Sequence, residues 1–199
     1  MDLITRNTTE HQTQIVERDG KKEISGYGAI YYDGTPSSEY HLGDNLYERI
    51  QPGAFDRPLA ERENVEIRYN HSDDFILGDV EGGAVVKVDD KGLRYSLPYD
   101  AADPQHQTVL AKINKGLIRG SSIGMYGPQY RFTQENGKDI AWVTGVKKIR
   151  DVGPVGRPAY TGATATIRSA DCDEQYQAWL KRKAETEKRL AKLAKMNAQ

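Results

Sequence analysis

The chain has 199 residues, of which 29% are charged, and its formal net charge at pH 7 is -1. That length gives one domain with an appendage and a real core, and the near-neutral balance supplies no global field to draw it to nucleic acid or an anionic membrane. The lone cysteine, Cys172, excludes an internal disulfide and stands in no ligand-spaced cluster, which fits a reduced cytosolic compartment. Met1 to Val16 holds no apolar run of signal-peptide length, and no stretch approaches the ~20 apolar residues of a membrane helix. There is no Walker loop, no dinucleotide fingerprint after a strand and no His-Glu-x-x-His, and His11, His41, His71 and His106 are scattered. The expectation is a protein without metal or cofactor, and without direct nucleic-acid or membrane binding.

Met1 to Lys22 is polar and aperiodic and reads as a mobile arm, residues 1–22. Ile24 to Tyr32 is β-rich, with Gly26 and Gly28 marking a bend or a close backbone approach. Leu46 to Ile50 is a second strand, and Asp56 reads as the N-cap of a short helix that tolerates Pro58 in its first turn. Val65, Ile67 and Tyr69 alternate with polar residues, the period of a half-buried strand, and His71 stands at its end. Ile76 to Val80 follows as a strand, and Ala84 to Val88 with Leu93 to Leu97 reads as a hairpin turned by Gly92. Asp103-Pro104 starts a helix as cap and first residue, with His106, Val109, Leu110 and Ile113 on one face and Gly116 at its C-terminal end.

Asn136-Gly137 between Tyr130 to Thr133 and Ile140 to Val143 is a strong hairpin signal. Val146 to Val152 and Ala163 to Ile167 add strands. From Asp171 no Gly or Pro occurs, and Tyr176, Trp179, Leu180, Leu190 and Leu193 recur at near-helical spacing. This predicts a charged amphipathic helical tail, residues 170–199, serving interaction more than core. The body, residues 23–169, is expected to be mainly β with helices, its strand count favouring a barrel or sandwich.

Gly116-Leu117-Ile118-Arg119-Gly120-Ser121-Ser122-Ile123-Gly124-Met125 sets three glycines and two hydroxyls among apolar residues. A serine here becomes a nucleophile if a base reaches it, and small neighbours admit a substrate backbone. By itself the stretch reads as a Ser-rich turn, and only what stands on either side changes that. Its neighbours in the sequence are Asn70-His71 at a strand end and the later run Ile149 to Ala159, which contains Asp151, Gly156 and Arg157.

In that order and spacing the chain resembles the prohead (head-maturation) serine proteases of tailed bacteriophages, which are similar in fold to the herpesvirus assemblins. The residues carrying the resemblance are Ile50-Gln51-Pro52-Gly53-Ala54-Phe55, Asn70-His71 followed by Leu77-Gly78, Gly92-Leu93, the serine before Ile123-Gly124-Met125, and Pro158-Ala159. It spans roughly Ile24 to Ile167 and implies an assemblin-like β-barrel with His71, Ser122 and Asp151 as the catalytic set. Ser122 is assigned because the family's nucleophile stands directly before an apolar-Gly-apolar triplet, and Ser121 is the fallback. Many relatives carry Glu where this chain has Asp151, and an acid after the histidine where it has Ser72; Asp73 and Asp74 are the rival acids. A serine hydroxyl is hardly ionised at neutral pH, so an imidazole must take its proton and a carboxylate must orient and stabilise the imidazolium. Between Pro154 and Pro158 only Val155, Gly156 and Arg157 offer an N–H, and assemblins use the N–H at an arginine there, so Gly156 and Arg157 are the oxyanion-hole candidates.

The resemblance further implies an endopeptidase that cleaves scaffold and major-capsid-protein precursor segments, and itself, inside an assembling procapsid in the host cytoplasm. It also implies a homodimer formed through a helix. Two other classes are open on sequence: a catalytically inactive capsid-associated β-barrel whose tail binds scaffold, and a serine hydrolase of small esters.

Overall fold

The computed structural model describes residues 3–8, 13–18, 20–156 and 170–197. Its strands are β1 (Leu3–Thr8), β2 (Gln14–Arg18), β3 (Lys21–Ile30), β4 (Glu39–His41), β5 (Leu46–Ile50), β6 (Glu66–Arg68), β7 (Ile76–Asp79), β8 (Val85–Val88), β9 (Gly92–Pro98), β10 (Ile118–Tyr126), β11 (Gln129–Glu135), β12 (Lys138–Gly145) and β13 (Lys148–Gly156). The helices are α1 (Asp56–Ala60), α2 (Pro104–Asn114) and α3 (Ala170–Asn197). The expected strand Ala163 to Ile167 lies outside the described residues.

Local chemistry accounts for the turns. Asn136 and Gly137 both have positive φ, 50° and 78°, the twist a two-residue hairpin between β11 and β12 requires. The Asp103 carboxylate accepts the Gln105 N–H at 2.7 Å, Pro104 opens α2, and Gly116 (φ 63°) ends it just before β10. Asp56 is the first residue of α1 rather than its cap; Phe55 holds that position with no side-chain capping bond.

The fold is mainly β with a C-terminal helix. Three sheets run β1-β10-β13-β6-β7, β11-β12-β5-β4 and β2-β3-β9-β8, and among the described residues they do not close into the expected barrel. They stack instead. β3 lies against β10 and β13, and a Cβ at Gly26 would stand 2.4 Å from Ser121 Oγ, while one at Gly28 would stand 2.7 Å from Val152. Ile24, Ile50, Phe55, Ile67, Leu93, Ile123, Met125 and Val152 fill the main core between the layers.

Both ends of the chain depart from the expectation. The supposed mobile arm holds two strands: β1 pairs antiparallel with β10, and β2 with β3. Ile4 and Arg6 are buried and Thr5 is exposed, a strand alternation hidden because one inward position is an arginine. At the other end, the first turns of α3 belong to the body. Cys172 and Tyr176 are buried with Leu42, Leu46 and Ala141, Tyr176 Oη donates to Asp139 at 2.6 Å, and Trp179 packs on Tyr176 and Phe132. Leu190, Leu193 and Met196 are exposed, so only the distal half projects.

Candidate active site

Ser122 lies on β10, where Ile123 and Met125 enter the core and Ser122 and Gly124 face the other way. β13 runs antiparallel beside it, with Gly153 opposite Ser122 and Asp151 opposite Gly124. The absence of a side chain at Gly124 makes room for the acid: a Cβ there would stand 3.0 and 3.1 Å from the two Asp151 oxygens. β6 runs parallel to β13 on its other side, and its end is drawn in tightly, since a Cβ at Gly153 would meet the Arg68 carbonyl at 2.1 Å. Two residues beyond Arg68 the chain turns through Asn70 (φ 54°) and His71 (φ 59°), consecutive left-handed residues that swing the imidazole over β13.

That strained turn is clamped on both sides. The Asn70 N–H donates to Pro154 O at 3.0 Å, and the Gly156 N–H donates to Asn70 Oδ1 at 2.9 Å. Tyr69 and Ser72 close the loop through bonds to Phe75 O and Tyr69 O.

The side chains form one hydrogen-bonded line. His71 Nδ1 meets Asp151 Oδ1, and His71 Nε2 lies 2.6 Å from Ser122 Oγ. An ionised Asp151 only accepts, so Nδ1 carries the proton and Nε2 is left to accept from the serine. Ser122 and Asp151 are fully buried, and the His71 ring is 16% exposed. Among the described residues Asp151 Oδ2 has no hydrogen-bond partner, and it lies 3.4 Å from Arg150 Nη1, which sets a positive charge beside it.

The other residues singled out from the sequence go elsewhere. Ser121 faces β3 and bonds to Thr13 Oγ1 (2.9 Å) and Tyr95 Oη (3.0 Å), and among the described residues no imidazole bonds to it. Asp73 is exposed and bridges Arg68 and Arg150; its carboxyl is held below the ordinary range by the Arg68 hydrogen bond and the Arg150 charge. Asp74 is a loop residue whose N–H takes the Ser72 hydroxyl as acceptor. The Gly156 N–H is occupied by Asn70, and Arg157 lies outside the described residues, as do His11 and Pro158-Ala159. His106 is packed, accepting the Asp100 N–H and donating to Leu77 O at 2.7 Å. Among the described residues no group of three or more His, Cys, Asp or Glu is placed to hold a metal ion, and no helix is long and apolar enough to cross a membrane.

Sequence reasoning missed two residues beside Ser122. The Ser122 hydroxyl also lies 3.0 Å from the Arg6 carbonyl, so β1 crosses the site. Arg6 is buried and pairs through two nitrogens with Glu48, which is itself fully buried and accepts from Tyr130 Oη at 3.0 Å. Burial alone would lower the Arg6 pKa, but the Glu48 charge raises it above the ordinary guanidinium value. The signal was available in β5, where Glu48 holds the inward position between Leu46 and Ile50.

The family model described as caudovirus prohead serine protease matches residues 9–178 of the 199. The chain belongs to that family. Comparison with the curated proteins and with the solved structures gives no match. Prohead serine proteases act in assembling phage procapsids in the host cell. The span matched by the prohead-protease family begins just after β1, so the strand whose Arg6 carbonyl reaches Ser122 is outside it.

Proposed function

We propose that this prohead protease cuts scaffold and capsid-precursor segments with Ser122 as nucleophile, His71 as general base and Asp151 as the orienting acid. The observation that carries the reading is the line Asp151–His71–Ser122, assembled from three separate strand regions with the middle member held in a left-handed turn. In the reaction His71 Nε2 takes the Ser122 proton as Oγ attacks the carbonyl carbon, then returns it to the leaving amine as the peptide C–N bond breaks. Water, activated by the same imidazole, hydrolyses the acyl-serine. Asp151 keeps the tautomer and stabilises the imidazolium. Arg157 is the remaining oxyanion-donor candidate, because the Gly156 N–H is already spent on Asn70.

The family's procapsid setting supports the capsid precursor and scaffold as substrates, and self-processing and homodimerisation belong to the same reading. Intact mass after co-expression with a capsid precursor tests it. Wild type is expected to shorten the precursor, whereas Ser122→Ala leaves it whole while melting like wild type, since one hydroxyl hardly changes packing. Processing by Ser122→Ala with loss in Ser121→Ala would move the nucleophile by one residue. An intact precursor with wild type, together with no labelling by a serine-reactive phosphonate, would favour a capsid-associated protein without catalysis. Turnover of small esters with every precursor left whole would favour an ester hydrolase.

A further inference from the structure

We infer that the edge of β10 together with the Glu48 pocket is a strand-acceptor subsite for an extended substrate segment of the form apolar–x–basic, and that β1 fills it in the resting chain. The inference rests on Ser122 being the nucleophile. β1 is an edge strand added antiparallel to β10, with Asn7 opposite Ser122 and Arg6 opposite Ile123. Its alternate side chains enter the protein: Ile4 joins the main core, and Arg6 reaches Glu48. This is the division of labour in strand-addition recognition, where main-chain bonds give affinity and pockets for alternate side chains give selectivity.

The arrangement cannot serve an external peptide while β1 stays. Ser122 is fully buried, and its single proton has two competing acceptors, His71 Nε2 and the Arg6 carbonyl. When β1 leaves, β10 exposes a row of unpaired backbone groups and Glu48 becomes a buried carboxylate without its cation. Leaving one partner of a buried pair unpaired is strongly destabilising, so the vacated pocket favours an incoming Arg or Lys over any neutral side chain. Tyr130 Oη already bonds Glu48, and Tyr40, paired with Glu48 across β4 and β5, has a buried hydroxyl with no hydrogen-bond partner among the described residues, a further polar group available to the entering cation. A peptide that restored both sets of contacts would bring the carbonyl of its basic residue to Ser122, where the Arg6 carbonyl now lies.

The test is a peptide panel in the frame Leu-Ile-Thr-X-Asn-Thr, with X as Arg, Lys, Gln, Glu or Leu, given to full-length wild type, Arg6→Ala and Glu48→Gln. A serine-reactive phosphonate is run in parallel. The expected result is cleavage after X with kcat/KM for Arg exceeding that for Gln by about 100-fold or more, as discrimination by a buried charge allows. Arg6→Ala, which loosens β1, should be labelled faster than wild type and cleave the Arg peptide faster. Glu48→Gln should lose the Arg-over-Gln preference, and if it does not fold, the wild-type and Arg6→Ala panels still decide. A labelled Ser122 with no preference for Arg or Lys at X overturns the subsite and leaves the protease reading standing. No labelling and no cleavage by wild type or Arg6→Ala overturns the assignment of Ser122, and the subsite with it.

Discussion

Gly124 stands opposite Asp151 across the β10–β13 ladder, and the acid's carboxylate occupies the space a side chain at 124 would fill. The glycine is not needed for backbone freedom, since its φ is not left-handed. It is needed for volume. Gly124→Ala is therefore expected to fold and melt close to wild type, while displacing the carboxylate by a few tenths of an ångström. A misplacement of that order is expected to cost about 10- to 100-fold in kcat with KM little changed. Unchanged kcat would show that Asp151 has room to spare.

The choice between the acids is tested by paired variants. Asp151→Asn keeps the shape but leaves the wrong tautomer and an unstabilised imidazolium, so kcat should fall by about 10³- to 10⁴-fold with little change in KM. Asp151→Glu should retain more. Asp73→Asn removes an exposed carboxylate shared by Arg68 and Arg150, and an ion pair whose acid stands in solvent contributes little, so its kcat should stay within about 5-fold of wild type. A dead Asp73→Asn beside an active Asp151→Asn would reverse the assignment.

Asn70 is a positioning residue, acting through the turn that presents His71. It does two separable things: it adopts a left-handed backbone, and its side chain accepts the Gly156 N–H. Asn70→Gly keeps the first and loses the second, so it should melt near wild type yet show a lowered kcat at similar KM. Asn70→Ala should lose both activity and stability, because alanine resists the left-handed conformation by about 1–2 kcal/mol. Asn70→Asp, which keeps the acceptor, should recover kcat relative to Asn70→Gly. Equal kcat in all three would make the clamp irrelevant to His71.

The elements set by local rules were legible from the sequence, for reasons visible in single residues. Asp103-Pro104 and Gly116 bracket α2, and Asn136-Gly137 turns β11 into β12, because capping and positive φ are decided within a few residues. Leu46 to Ile50 was read with the bounds the strand has. The meeting of His71, Ser122 and Asp151 was not legible from spacing, since it depends on β6 lying parallel to β13 and β13 antiparallel to β10. Only the family resemblance pointed there. β1 was missed because its inward positions alternate an isoleucine with an arginine, and a charge reads as solvent-facing until its partner across 42 residues is known. Closure was misjudged because strand number does not fix how sheets stack, which here turns on Gly26 and Gly28.

The last prediction concerns α3, where composition alone put the boundary of the body too early. Cys172 and Tyr176 seal a cluster with Leu42, Leu46 and Ala141, and Tyr176 Oη and Lys183 Nζ both reach Asp139. A chain ending at Ala170 would expose that cluster, losing roughly 3 kcal/mol or more of apolar burial. For a protein of this size that is a fall of about 6–12 °C in Tm. A chain ending at Leu180 keeps the Cys172–Tyr176 cluster and the Tyr176 bond to Asp139, giving up only the Lys183 ion pair, and should melt within about 2–4 °C of full length, while losing the exposed Leu190, Leu193 and Met196. Cys172 reports the docking independently. Burial, with Glu48 nearby, pushes its thiol pKa up to about 12, so the folded full-length chain should resist alkylation at about pH 8, where an ordinary thiol reacts. The chain ending at Leu180 should resist as well. Rapid alkylation of the full-length chain with its Tm unchanged would show α3 free of the body and return the whole helix to the role of an appendage.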